Sequence, residues 1–264
     1  MRPGRPASVG DGFRLALGTL TVFPTPPPRV VDQKSGSWAM TFAPLIGLLL
    51  AAVASVFMWL PIAPLLASAL TIGLLAVLTR AIHLDGLADT ADGLGSGKPA
   101  AEALAIMRKS DIGPFGVVAL VLVLLIQVVA LAQLIAEGLG VLAIALALVV
   151  SRFVLPVICS NGVPAARPDG LGHVVAGSVR RVQLLIAAGC TFLTLTAVAA
   201  ATVGPSEVDA DLVLLGGIVV MVATLAGAGM CCWCVRRLGG VTGDVMGACI
   251  EVTFTVSLVV LAIV

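Results

Sequence analysis

Charge is what this sequence has least of. Only 11% of its 264 residues are Asp, Glu, Lys or Arg, against 59% hydrophobic, and the mean hydropathy is +1.15. A soluble domain carries about 25% charged residues, so a chain this poor in them belongs in a bilayer. Histidine is scarce as well, with two in the whole chain. Cys231 and Cys234 form a CxxC that no second pair follows, so a four-ligand zinc site is hard to assemble. The six cysteines, Cys159, Cys190, Cys231, Cys232, Cys234 and Cys249, sit in or beside apolar runs, which argues for packing and against a disulfide framework. A net charge of +1 gives no case for a nucleic-acid partner. No internal repeat is evident, which weakens a transporter built from inverted halves. The apolar runs also lack alternating polar residues, so a barrel is excluded and helices, which satisfy their own backbone, remain.

What is present is a series of runs long enough, at about 1.5 Å per residue, to cross a hydrocarbon core of about 30 Å. They fall near 39–60, 62–82, 113–136, 138–158, 184–204, 212–235 and 245–264, an all-α polytopic membrane protein of about seven spans, with its weakest boundary at Pro61. The basic residues then orient it. Arg2, Arg5, Arg14, Arg29 and Lys34 precede the first span. Arg80, Lys98, Arg108 and Lys109 surround the second connection, Arg152, Arg167, Arg180 and Arg181 the fourth, and Arg236 and Arg237 the sixth. The alternate connections hold only acids: Glu137, then Glu207, Asp209 and Asp211. The positive-inside rule puts the N-terminus in the cytoplasm and the C-terminus outside.

Residues 1–38 read as a cytoplasmic or interfacial arm. The PTPPP run at 24–28 cannot be a spanning helix, and the apolar stretch from Phe13 to Phe23 reads as a short interfacial helix. Residues 39–264 read as one helical membrane domain whose long connections, 83–112 and 159–183 with a shorter one at 236–244, lie on the cytoplasmic side. Loops of this length are commonly functional.

HLDGLADTADGL (83–94) carries the strongest chemical signal. Asp85, Asp89 and Asp92 stand at i, i+4 and i+7, within about 60° of one another on one helical face. Like charges so placed destabilise a helix. Lys98, Arg108 or Lys109 could neutralise them on a solvated face, but the small neighbours Gly86, Ala88, Thr90, Ala91 and Gly93 leave room for a ligand, and Mg2+ is the economical counter-ion. In IMRKSDIGPFG (106–116), Arg108 offers phosphate a bidentate fork and Lys109 a point charge, ahead of Gly113 and Gly116 at the entry to the third span.

In GGVTGDVMGACIE (239–251), Thr242 or Asp244 suits the N-terminus of the last span. Glu251 lies about 10 Å deeper on the same face, where an acid is costly and marks a protein interior or a wet cavity. His83 is a candidate phosphate ligand or general base. Arg152, a turn or two inside the fourth span, snorkels or reaches the acids. RPDGLGHVVAG (167–177), rich in glycine beside Arg180 and Arg181, reads as a mobile substrate loop.

Together TVFPTP (21–26), FAPLIGLLL (42–50), the aspartate segment, IMRKSDIGPFG and GGVTGDVMGACIE closely resemble the cobalamin synthase family, the adenosylcobinamide-GDP ribazoletransferases, over nearly the full chain. The resemblance implies a Mg2+-dependent enzyme of the cytoplasmic (inner) membrane with its active site facing the cytoplasm. A hydroxyl of α-ribazole, or of its 5′-phosphate, would attack adenosylcobinamide-GDP and release GMP in the lower-loop assembly of coenzyme B12. It further implies Asp85, Asp89, Asp92 and Asp244 as metal ligands, with Asp89, Asp92, Glu251 and His83 in the catalytic set. Arg108, Lys109, Lys98, Arg152 and Thr242 would bind substrate. A homo-oligomer, or association with other B12-synthesis enzymes, is compatible with that role. Two other classes compete: a CDP-alcohol phosphotransferase, matched at Asp89, Asp92 and Gly93 but lacking the trailing aspartates, and an ion-coupled transporter using Glu251.

Overall fold

The computed structural model describes residues 7–204 and 208–263; Arg2, Arg5 and Glu207, used above to orient the chain, lie outside them. Among the described residues every named element is helical, and pairing between extended segments is limited to two isolated parallel bridges, Ser160 with Val179 and Ala165 with Val241.

Helix α1 (Val9–Leu20) starts four residues before the expected position and is fixed by a capping box, the Ser8 hydroxyl accepting from the Asp11 amide and Asp11 accepting from the Ser8 amide. Asp11 also accepts from the Arg29 amide at 2.9 Å, tying the proline-rich segment back to the helix. These bonds, the Ser8 hydroxyl's first, hold its carboxyl at about 2. The inner face of α1 lies on α2 (Gln33–Ala54), where Phe13 meets Phe42 edge-on at 5.7 Å.

Among the described residues six helices are long and apolar enough to cross a membrane: α2 with its 3-10 extension to Trp59, α6 (Pro114–Ala136), α7 (Gly140–Ile158), α9 (Arg181–Thr202), α10 (Ala210–Leu238) and α11 (Gly243–Ile263). Helix α7 is the axis, buried along almost its whole length between α2, α9, α10 and α11. The buried cysteines Cys159, Cys231, Cys234 and Cys249 pack in the core, and all six thiols are free.

The expected second span, 62–82, ends early. Helix α3 (Pro64–Leu78) has 15 residues, about 22 Å of rise, and then turns by 88° into α4 (Ile82–Gly95). The turn is a Schellman-type cap in which the Ala81 amide donates to the Ala76 carbonyl and the Arg80 amide to that of Val77. Such a cap requires a left-handed residue, normally glycine. Here Arg80 (φ 55°) and Ala81 (φ 53°) adopt that conformation, at a cost of roughly 1–2 kcal/mol each. The Arg80 guanidinium donates to the Gly18 carbonyl at 2.8 Å, anchoring the bend to α1. At most, α3 and α4 together count as a seventh, broken span. The consequence for function is that α4 crosses the end of the bundle, against α11 and α6, and carries the aspartates.

Candidate active site

Helix α4 meets α11 at two glycines. A Cβ on Gly86 would lie 2.6 Å from the Asp244 carbonyl oxygen, and one on Gly247 3.1 Å from the His83 backbone. This contact brings the aspartate stripe to the first turn of α11. Asp85 is exposed and Asp89 half-buried. Burial, and then the negative charges of Asp85, Asp244 and Asp92, push the Asp89 carboxyl up to about 6, with Arg167 alone opposing.

At α11, Thr242 is the cap, its hydroxyl accepting from the Val245 amide and donating to Asp244, each at 3.2 Å. Asp244 also faces the Arg167 guanidinium at 3.5 Å. Arg167 donates to the Leu104 carbonyl at 2.8 Å, at the end of α5 (Ala100–Ile106). Arg108 donates to both carboxylate oxygens of Asp169, at 2.8 and 3.0 Å, just before the short helix α8 (Gly170–Val175). These groups line a cavity of about 330 Å³ bounded by Arg108, Arg167, Asp169 to Gly172 and Val241 to Asp244. Three separate connections of the chain therefore meet at one end of the bundle.

The segment 167–177, expected to be a mobile substrate loop, is flanked by backbone bonds that tie the connection 159–183 down on both sides. The Ala166 amide donates to the Val241 carbonyl, the Val241 amide to Pro164, and the Val179 amide to Cys159. Arg167 and Asp169 within it belong to the site, although Arg167 had no individual role in the sequence reading and Asp169 was passed over. The available signal was an Arg-Pro-Asp-Gly string that holds the one acid of this connection.

Asp92 has a partner that the stripe did not suggest. Its two oxygens accept from the Gly113 and Gly116 amides at 2.7 and 2.9 Å, capping α6, where free N–H groups and the helix dipole favour an anion. A Cβ at Gly116 would approach its carboxylate to 2.5 Å, which explains the glycine spacing of IGPFG. The structure thus gives Asp92, expected as a metal ligand and catalytic group, a part in anchoring α6. Asp92→Ala should lower stability by about 0.5–2 kcal/mol, the worth of a helix cap, without changing Mg2+ affinity; thermal unfolding and Mg2+ titration of the purified variant separate the two. Loss of Mg2+ binding at unchanged stability would return Asp92 to the ion.

Glu251, His83 and Arg152 form a second, deeper cluster. Glu251 accepts from the Gln127 side chain at 2.8 Å. Arg152 donates to the Ser151 hydroxyl at 2.8 Å and faces the His83 Nδ1 at 3.4 Å. With apolar walls, Gln127, Arg152 and Glu251 enclose about 20 Å³, room for about one water. All three expected site residues are buried, and the cavity holding Arg152 and Glu251 is separate from that of Asp244. Arg152 and Glu251 are thus set apart from the Asp244 cavity, whereas His83 lies on α4 two residues before Asp85. Lys98 pairs with Glu102 one helical turn on, at 3.8 Å, and Lys109 is exposed; neither lines the cavity.

No three His, Cys, Asp or Glu side chains among the described residues are grouped tightly enough to form a closed metal cage. Asp85, Asp89 and Asp244 instead suit an ion that takes one or two carboxylates and completes its shell with water and phosphate, as Mg2+ does. Their mutual repulsion around Asp89 is what such a cation would relieve.

The family model described as cobalamin-5-phosphate synthase matches residues 12–262. Proteins named adenosylcobinamide-GDP ribazoletransferase from Nocardioides sp. and Frankia casuarinae are 41% and 38% identical, each over 94% of this chain and over 96% and 93% of their own length. One of the same name from Syntrophobacter fumaroxidans is 39% identical over 91% of this chain and 93% of its own. No solved structure matches.

Proposed function

The chain belongs to the cobalamin-5-phosphate synthase family, and from that membership we propose that ribazole transfer onto adenosylcobinamide-GDP, with release of GMP, takes place in the Arg108, Arg167 and Asp244 cavity. The observation that carries this reading is the meeting of opposite charges there: Asp244 of α11, whose charge also acts on Asp89 of α4, on one side, and two arginines from different connections on the other. A diphosphate needs both, guanidinium groups to hold its oxygens and carboxylates to hold its counter-ion.

In this reading Asp89 and Asp244, with Asp85 beside them, hold Mg2+, which when bound would neutralise charge on the diphosphate during the exchange. Arg167, fixed by the Leu104 carbonyl and beside Asp244, keeps the acidic cluster in register and binds a phosphate oxygen. Arg108 exchanges its Asp169 partner for phosphate, an economical switch because that pair is exposed and worth little by itself. Thr242 keeps the first turn of α11 wound, so that free amides of that turn face the same cavity. We place this end of the bundle in the cytoplasm, because the connections that converge on it hold the basic residues.

Purified protein in lipid, given adenosylcobinamide-GDP, α-ribazole and Mg2+, should release GMP and form the joined corrinoid. EDTA should abolish the release and added Mg2+ restore it. Turnover that survives chelation would remove the metal from the proposal, and absence of GMP under all conditions would remove the reaction.

A further inference from the structure

Helix α4 leaves α3 through the 88° bend and crosses the end of the bundle, so its place depends on what grips it there. Among the described residues two of its side chains hydrogen-bond to other helices. Near its end Asp92 caps α6; in its first turn His83 meets Arg152 of α7 at 3.4 Å. Asp85 and Asp89 stand between these two points.

The grip at the start is costly. Arg152 is 3% exposed and lies inside a span, where a cation costs a few kcal/mol or more and needs a partner. Glu251 is not in direct contact with it. That carboxylate accepts from Gln127 at 2.8 Å and shares with Arg152 only the wall of the cavity of about 20 Å³. The guanidinium itself reaches two groups, the Ser151 hydroxyl and His83 Nδ1. Because a guanidinium only donates, Nδ1 accepts, and the imidazole is neutral with its proton on Nε2. That nitrogen is buried and makes no hydrogen bond.

The bend itself adds a second reason for an anchor at this point. Arg80 and Ala81, just before α4, are left-handed, and such strain persists only where the surroundings over-determine it. His83 is the first buried side chain beyond them.

We propose that Arg152 is a positioning residue: by holding His83 it fixes the start of α4, and thereby the place of Asp85 and Asp89 against Asp244, without touching ion or substrate. The inference rests on the site assigned above. Glu251 balances the charge of Arg152 across the small cavity, and Gln127 of α6 holds Glu251 in turn. Helices α6, α7 and α11 thus act on α4 through one contact.

Full-length protein in lipid is followed by its thermal midpoint without metal, by Mg2+ titration and by GMP release. Arg152→Met and His83→Leu each remove the contact while keeping much of the side-chain volume. Each should weaken Mg2+ affinity roughly 10- to 100-fold, the usual effect of losing a residue that orients metal ligands, and GMP release should fall with it. Combining the two should add little, because they act as one unit. His83→Asn keeps an acceptor at the Nδ1 position and has no atom at that of Nε2, so it should recover most of the affinity that leucine loses. Arg152→Met/Glu251→Gln also removes the acid left without its counter-charge; it should regain thermal midpoint but not Mg2+ affinity.

Recovery of both together would make Arg152 a counter-charge and nothing more, and unchanged Mg2+ affinity in Arg152→Met would equally overturn the assignment. So would His83→Asn as defective as His83→Leu, which would give Nε2 a part of its own. Wild-type protein that takes up no Mg2+ refutes the assignment of the aspartates, a failure distinct from the others and one that this inference does not survive.

Discussion

Asp89→Asn is expected to lower GMP release roughly 10²- to 10³-fold, the kinetic equivalent of several kcal/mol of lost charge stabilisation, while the protein still inserts and folds. Removing the charge should relieve the metal-free fold, because burial, and then the like charges around it, push the Asp89 carboxyl up to about 6 from an ordinary 3.8. The sign follows from linkage. A raised folded-state value means that the stability Asp89 contributes is fully present below about pH 4 and lost as pH rises through about 6. Metal-free wild type should therefore become less stable between pH 5 and pH 8 relative to Asp89→Asn, and Mg2+ should close the gap. Mg2+ affinity should weaken below about pH 6, where a proton competes for the same oxygens. Thermal midpoints of both proteins at the two pH values, with and without Mg2+, read all of this. Superimposable curves would mean that Asp89 is an ordinary solvated carboxylate, and near-normal turnover by the variant would end its role as a ligand.

The spans were legible because hydropathy is a sum over about 20 residues and tolerates local error: the expected 113–136 is α6 at Pro114–Ala136, and 245–264 is α11 at Gly243–Ile263. The bend after Leu78 was hidden, since its left-handed cap uses Arg80 and Ala81, where glycine would have announced it. The aspartate stripe was read correctly as one helical face, but a helical wheel contains one helix only. Whether an acid on that face meets a metal or a backbone depends on what lies opposite. Asp92 meets the amides of Gly113 and Gly116, residues 21 and 24 positions away, and no spacing within 83–94 encodes that. Glu251 shows the same limit in reverse. Its depth in an apolar run correctly marked it as buried against protein, yet the partner that satisfies it, Gln127, lies 124 residues away on α6, in a span whose hydropathy gave no reason to single out one glutamine.

Gly86 is the position where a small change should do most harm. In most helix crossings an added methyl meets a side chain that can rotate aside; here it would meet the Asp244 carbonyl at 2.6 Å and its Cα at 2.9 Å, which are backbone atoms of the first turn of α11 and cannot yield unless a helix moves. Gly86→Ala should thus push α4 from α11 by several tenths of an ångström, and Gly86→Val by more. Overpacking of this kind costs about 1–3 kcal/mol in stability. The larger effect is on chemistry, because Asp85 and Asp89 ride on α4 while Asp244 and Thr242 ride on α11, and the proposed ion needs ligands from both. Displacement on the scale of 1 Å can cost about 10²-fold in rate. The valine variant should lose activity by roughly that factor, with Mg2+ binding weakened in parallel. Gly73→Ala is the matched control: Gly73 lies in α3 with nothing within 4 Å of an added Cβ, so alanine there should be neutral or mildly stabilising through helix propensity. Full activity in Gly86→Val would show that α4 does not lie on α11 in the working enzyme, and the shared site built on that contact would have to be abandoned.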